Sequence, residues 1–213
     1  MAIIKQGVLG AFSGQVGTVI GTSWKGIAII RSIAASIVNP RTPAQLEQRA
    51  KFSLVGKFLR TLTVFLRIGF KSAAVKMSGY NAAMSYNVKN AISGLYPDFT
   101  LNYAQLRVSQ GSLPGALNPV AVSVVPATVD FTWEDNSMDA GTMADDKVVL
   151  LVYNPAKGKT LNAIGAMTRV DGAQTLALPD AFTGDQVECY ISFANANESV
   201  LSDSLYVGSV LVA

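Results

Sequence analysis

At Leu95-Tyr-Pro-Asp98 the hydrophobic period of the chain changes, and that change decides what the chain can fold into. Before it, Ala50, Leu54, Phe58, Leu62 and Phe65 recur at helical spacing and, with Val55, Leu59 and Leu66, form a broad apolar face. Beyond it the period is two, and turn residues return about every eight to twelve positions, the pattern of a β-sandwich. The expected strands are 105–109, 120–125, 128–134, 147–153, 161–168, 175–178, 186–194 and 204–212. Within Val129-Asp-Phe-Thr-Trp133 the apolar residues alternate, so Trp133 is expected to fill the space between two sheets. In Val187-Glu-Cys-Tyr-Ile-Ser-Phe193 both alternating sets are partly apolar, which suits a central strand. The fold class that follows is α+β: an N-terminal β-hairpin and two-helix unit, then an all-β sandwich of the immunoglobulin or fibronectin III kind. The expected domains are a basic assembly domain, 1–95, and an acidic sandwich, 96–213.

The first half contains its own start and stop signals. Thr42 is an N-cap, Pro43 suits the first helical position, and Gln45 completes a capping box. The spacing predicts a helix over 43–71 and a weaker one over 80–92, ending at Gly94. Ahead of them, Gly14-Gln-Val-Gly-Thr-Val-Ile-Gly-Thr-Ser-Trp-Lys-Gly26 has the glycine content of a phosphate loop but not its spacing. Gly21 is followed by Thr22 where a P-loop needs lysine, Lys25 is followed by Gly26, and no G-x-G precedes a helix. A glycine-bearing hairpin fits better: Val16, Thr18, Val19 and Ile20 are strand formers, as are Ile27, Ile29 and Ile30 beyond the Trp24-Lys25-Gly26 break. Glycine within a strand marks a bulge or close backbone approach, so the hairpin is expected to pack against something.

Chemistry is narrowed by what the chain lacks. With no histidine, Ser-His-Asp and Cys-His catalysis, histidine proton shuttles and the usual zinc sites are unavailable. The single cysteine, Cys189, allows no internal disulfide, and its place in an alternating run reads as a packed strand residue. No apolar run approaches the roughly 20 residues of a membrane span. The N-terminal residues lack a secretory pattern, so cytoplasmic synthesis without a signal peptide is the expectation, with a virion as a destination.

Charge is divided along the chain. Residues 1–95 hold twelve Lys and Arg against one acid, Glu47, whereas 96–213 hold five against thirteen. Such opposition reads as two different surroundings or as head-to-tail attraction between copies. On the predicted helix, Arg49, Arg60, Arg67 and Lys71 fall opposite the apolar face, with Lys57 at its border. That stripe is either an ordinary solvated face or a contact with nucleic acid or another anionic partner. Glu134, Asp135, Asp139, Asp145 and Asp146 surround one connection, but the EF-hand spacing is not met and no glycosidase-like pair is indicated. The residues therefore nominate no catalytic, cofactor-binding or metal site.

The stretches GVLGAFSGQVGTVIGTSWKG, NPRTPAQLEQRAKF, SGYNAAMSYNVKNAI, VDFTWEDN, VVLLVYNP, GDQVECYISF and LYVGSV together resemble a family common in Bacteroidota that is a domain of unknown function. The likeness covers nearly the whole chain and brings no assigned activity. The second half also resembles fibronectin type III or immunoglobulin-like sandwiches, which implies a binding or display module and transfers no functional residue. Three functions follow as expectations. The first is a structural, self-assembling protein such as a phage or prophage virion component, with Val16, Val19, Ile20, Trp24, Lys25 and Ile27 as assembly contacts to further copies or other structural proteins. The second is a nucleic-acid-binding protein using the basic helix. A carboxylate hydrolase is the third and the least supported.

Overall fold

The computed structural model describes residues 3–4, 10–36, 39 and 41–213 of the chain. It divides into two compact units, residues 1–46 and 47–213, each treated by itself below.

The first unit is a four-stranded antiparallel sheet in the order β1 (Ile3–Ile4), β2 (Phe12–Val16), β3 (Val19–Trp24), β4 (Ile27–Ser32). The expected hairpin is its β3–β4 half, closed by Lys25 at φ 46° and Gly26 at φ 82°. Two consecutive positive φ values make the I′-like turn whose twist matches antiparallel strands. Between β2 and β3 the turn is Gly17-Thr18, with Gly17 at φ 56°.

The second unit has three layers. Seven strands make two sheets: β7 (Leu117–Val122), β8 (Thr128–Glu134) and β11 (Ala173–Ala177) in the order β11-β8-β7, and β9 (Lys147–Asn154), β10 (Lys159–Thr168), β12 (Gln186–Ala194) and β13 (Leu205–Leu211) in the order β10-β9-β12-β13. All pairings within them are antiparallel. The core between the sheets takes Val129, Phe131 and Trp133 from β8, Val148, Leu150 and Val152 from β9, and Val187, Cys189, Ile191 and Phe193 from β12. Trp133 is 5% exposed and meets the Phe193 ring edge-on at 5.9 Å, the preferred geometry for two quadrupolar rings. This is the expected α+β chain with an immunoglobulin- or fibronectin III-like sandwich.

Helices cover the other face of the four-stranded sheet. They are α1 (Pro43–Arg60), α2 (Leu66–Gly69) and α3 (Gly79–Asn90). Val55, Phe58, Leu59, Leu62 and Leu66 share a core with Val149, Leu151 and Tyr153 of β9 and Tyr190 and Ala194 of β12. β9 and β12 are therefore buried on both faces, which is why both of their alternating sets carry apolar residues. This packing places the compact-unit boundary at 46/47, not at the 95/96 boundary expected from the change of period. The helices bury their apolar stripe on the sandwich, so segment 47–95 shares the sandwich core.

Two expected elements differ. The helix over 43–71 stops at Arg60 and resumes only as the four-residue α2. Around the break, Thr61 and Leu62 donate to Phe58 and Leu59 carbonyls three residues back, and the Thr61 and Thr63 hydroxyls bond the Phe58 and Arg60 carbonyls. Threonine hydroxyls offering carbonyls an alternative partner are a known way to tighten and end a helix. The strand expected over 105–109 is absent; a 3-10 turn, Tyr103–Gln105, leads into a loop fixed by Asn87, whose side chain donates to the Arg107 carbonyl and accepts its N–H, both at 2.9 Å. The remaining strands lie within three residues of their expected bounds. Around Tyr96-Pro97, the expected hinge holds a small hairpin, β5 (Ile92–Ser93) with β6 (Thr100–Leu101).

Candidate functional site

Cross-strand register decides which side chains of the N-terminal sheet share a face. Trp24 lies opposite Ile27, Thr22 opposite Ile29, and Ile20 opposite Arg31, so these six form one face. Val16 lies opposite Val19, and Gly21 opposite both Gly14 and Ile30, so Phe12, Val16, Val19 and Ile30 belong to the other. The expected assembly contacts are thus divided: Ile20, Trp24 and Ile27 on one face, Val16 and Val19 on the other, and Lys25 at the turn between β3 and β4. Both faces are open. Trp24 is 52% exposed, Ile27 41%, Ile29 40%, Val16 58% and Ile30 66%, and Val19 and Ile20 are half-buried.

Gly21 serves close contact, whereas Gly17 and Gly26 serve turns at positive φ with open space around them. A Cβ at Gly21 would meet the Phe12 carbonyl oxygen and lie 2.5 Å from Phe12 Cδ2, because the Phe12 ring covers the surface that glycine leaves bare. No phosphate cradle is needed to explain them.

The basic residues do not make one continuous stripe. Arg49 and Arg60 are exposed on α1, Arg67 on α2 and Lys71 in the turn beyond it. Since the helix ends at Arg60, the rotation that would align Arg60 with Arg67 is interrupted. Arg60, Arg67 and Lys71 take part in none of the ion pairs of the described residues. Away from Arg60, toward the start of the helix, α1 and α3 frame a groove of about 340 Å³ lined by Gln48, Phe52, Asn81, Met84, Ser85, Val88 and Lys89. Its walls are mainly apolar and hold a single ionisable group, Lys89.

The acidic connection is organised by an arginine that the sequence reading passed over. Arg169 is fully buried. Its Nε donates to Asp146 Oδ2 at 3.1 Å, Nη1 to Asn136 Oδ1 at 2.6 Å and to the Gly115 carbonyl at 3.2 Å, and Nη2 to the Pro114 carbonyl at 2.9 Å. Its guanidinium stacks 3.9 Å above the Phe193 ring, and its carbonyl accepts from Trp133 Nε1 at 2.8 Å. Burial pulls its pKa below the usual arginine range, and the Asp146 charge and hydrogen bond oppose that. Asp146 is therefore a structural counter-ion. Glu134, Asp135, Asp139 and Asp145 stay exposed, and among the described residues no group of acidic or cysteine side chains is placed to hold a metal.

Cys189 is buried, with its pKa pushed up to about 12 by burial and then by Glu188. A thiol so protonated is a poor nucleophile. Among the described residues no helix is long and apolar enough to cross a membrane.

One further surface stands out. On β7, Leu117, Val120 and Val122 are 43%, 52% and 45% exposed, opposite Glu134, Thr132 and Asp130 of β8. Directly beyond the strand, Val124 and Val125 are 74% and 57% exposed. The signal was present in the sequence, because Val120-Ala-Val-Ser-Val-Val125 offers no wholly polar face to water.

No curated protein matches the chain. Among solved structures, the fibronectin type III domain of human collagen alpha-1(XX) chain is similar at 20% identity and TM-score 0.33, over 49% of this chain and 91% of that one. The twitchin kinase region from C. elegans is similar at 18% identity and TM-score 0.35, over 48% of this chain, the match spanning 17% of that one. Residues 11–208 match the model of a family of unknown function, DUF6266. From the N-terminal sheet to the last strand of the sandwich, the chain belongs to the DUF6266 family.

Proposed function

We propose that this chain is a non-enzymatic structural protein that assembles with copies of itself, its N-terminal sheet making the contacts and its sandwich displayed, as in a phage or prophage virion component. The observation that carries this reading is the open apolar sheet: Trp24, Ile27 and Ile29 on one face and Val16 and Ile30 on the other are 40% or more exposed. A small sheet whose described apolar side chains are this exposed gains little from folding alone, and water-facing apolar surface of this kind marks an interaction site. Its edge strand β4 runs in unbroken register from Ile27 to Ser32 and has no proline or bulge to blunt it. Such an edge is a template for another strand. The chain also carries no histidine, and its lone thiol is buried, so its residue set supplies little for catalysis.

The test is hydrodynamic. Size-exclusion chromatography with light scattering should give a mass well above the 22.5 kDa of one chain that rises with concentration, and removal of the residues before Asn39 should reduce it to one chain. A single-chain mass at every accessible concentration refutes the proposal.

A further inference from the structure

Two unpartnered apolar sheet faces on this chain carry opposite charge. On the N-terminal sheet, Trp24, Ile27, Ile29 and Arg31 share an exposed face, and strands β2, β3 and β4 contain no acid. On the sandwich, the outer face of the three-stranded sheet presents Val120 and Val122 from β7 beside Asp130 and Glu134 from β8. The alternate residues of those strands, Ala121, Val129, Phe131 and Trp133, turn into the core, so the outward set has no intramolecular reason to be apolar. No lysine or arginine occurs in β7, β8 or β11.

We infer that the face of the N-terminal sheet bearing Trp24, Ile29 and Arg31 docks on the outer face of the β7-β8-β11 sheet of a second copy. This rests on the self-assembly reading above and names the partner surface. Like charge disfavours pairing the basic sheet with itself, whereas the acidic-apolar face of a neighbour complements it in both charge and hydrophobicity. Both faces are sheets, which pack face to face about 10 Å apart. Because the two surfaces differ, the contact is heterologous: every copy keeps one free face of each kind, and growth continues until a ring closes or a filament forms. From strand spacing and rise, each face has a flat footprint on the order of 300 Å². That is small beside a standard contact of about 800 Å² per partner, so pairwise affinity is weak and assembly depends steeply on concentration.

Two full-length variants test this. Ile29→Asp blocks the N-terminal sheet, and Val122→Arg blocks the sandwich face; circular dichroism checks that each retains its strands. Each alone should shift assembly to at least tenfold higher concentration, about the effect of one lost contact of modest strength. Mixed in equal amounts, they should form a two-chain complex and nothing larger, since each retains the face that the other lacks. Raising salt from about 50 to 500 mM should weaken both this complex and the parent assembly, because charge attraction contributes to each. If the parent assembles and Ile29→Asp dissolves it while Val122→Arg changes nothing, the sheet binds elsewhere and the inference is wrong, with the self-assembly reading intact. If the parent never exceeds one chain, that reading fails as well.

Discussion

Replacing Arg169 by methionine should cost the sandwich more than any other single change of similar volume. The substitution keeps most of the side-chain stem but leaves Asp146, 1% exposed, with a buried carboxylate that retains only the Met143 N–H at 2.9 Å. The Pro114 carbonyl and Asn136 Oδ1 lose the Arg169 donors, the Gly115 carbonyl keeps only Asn136 Nδ2 at 3.3 Å, and the cation 3.9 Å above Phe193 is gone. Removing one partner of a buried ion pair costs about 3–5 kcal/mol, and a desolvated cation–π contact accounts for about 2 kcal/mol of such a loss. At about 2–4 °C per kcal/mol for a chain of this size, Tm should fall by roughly 6–20 °C. Chemical denaturation of the parent, Arg169→Met, Asp146→Asn and the double variant would form a complete cycle. Neutralising Asp146 in the Arg169→Met background should recover about 1–3 kcal/mol, the coupling expected of groups in one network. A loss below about 1 kcal/mol for Arg169→Met, or strict additivity across the cycle, would refute the assignment of Asp146 as its counter-ion.

Other consequences are simpler to check. Gly21→Val places a branched side chain against the Phe12 backbone and ring, so amide exchange at Val16, Val19 and Ile20 should accelerate by about tenfold or more, with protection of the sandwich strands unchanged. The Cys189 thiol should resist alkylation at pH 8 until the chain unfolds. Its folded pKa of about 12 lies above the ordinary 9.0, so its contribution to stability is complete below pH 9 and is lost as pH rises toward 12. Burial also raises the Tyr190 and Tyr206 pKa values; stability should therefore decline on the alkaline side, and a flat profile from pH 8.5 to 11.5 would contradict this packing. With the basic stripe interrupted at Arg60, duplex DNA should be retained no better by the parent than by an Arg49, Arg60, Arg67 triple-alanine variant at about 150 mM salt. A salt-sensitive shift lost in that variant would instead favour nucleic-acid contact.

Particular elements show how far local pattern reached. β8 and β12 have the bounds expected from alternation, 128–134 and 186–194, because a strand with a buried face must repeat every second residue whatever surrounds it. The Thr42 cap is present as well, its hydroxyl accepting the Gln45 N–H at 3.4 Å. The end of α1 was hidden: Leu62, Phe65 and Leu66 continue the helical spacing, and all three are buried, but Leu62 and Phe65 reach the core from a turn and Leu66 from the start of α2. Periodicity reports which residues are inside, and a turn that keeps them inside leaves the same trace. The shared core of the helices and the four-stranded sheet was equally hidden, since apolar stripes on α1 and β9 do not state that they face each other. The Arg169 network joins residues 114, 115, 136, 146 and 169 across separate loops. Its one sequence trace is an arginine, one of two with Arg107, in an acidic half. As for the candidate surfaces, the N-terminal strand residues were legible from composition, whereas their division between two faces required the register.

The central claim is that the N-terminal sheet of one copy binds the sandwich of another, and mixing the two blocked variants addresses it most directly. Analytical ultracentrifugation of Ile29→Asp with Val122→Arg should show single chains in each alone and a two-chain species in the mixture, lost at high salt. Two non-interacting single-chain species in the mixture, from a parent that assembles, would contradict it.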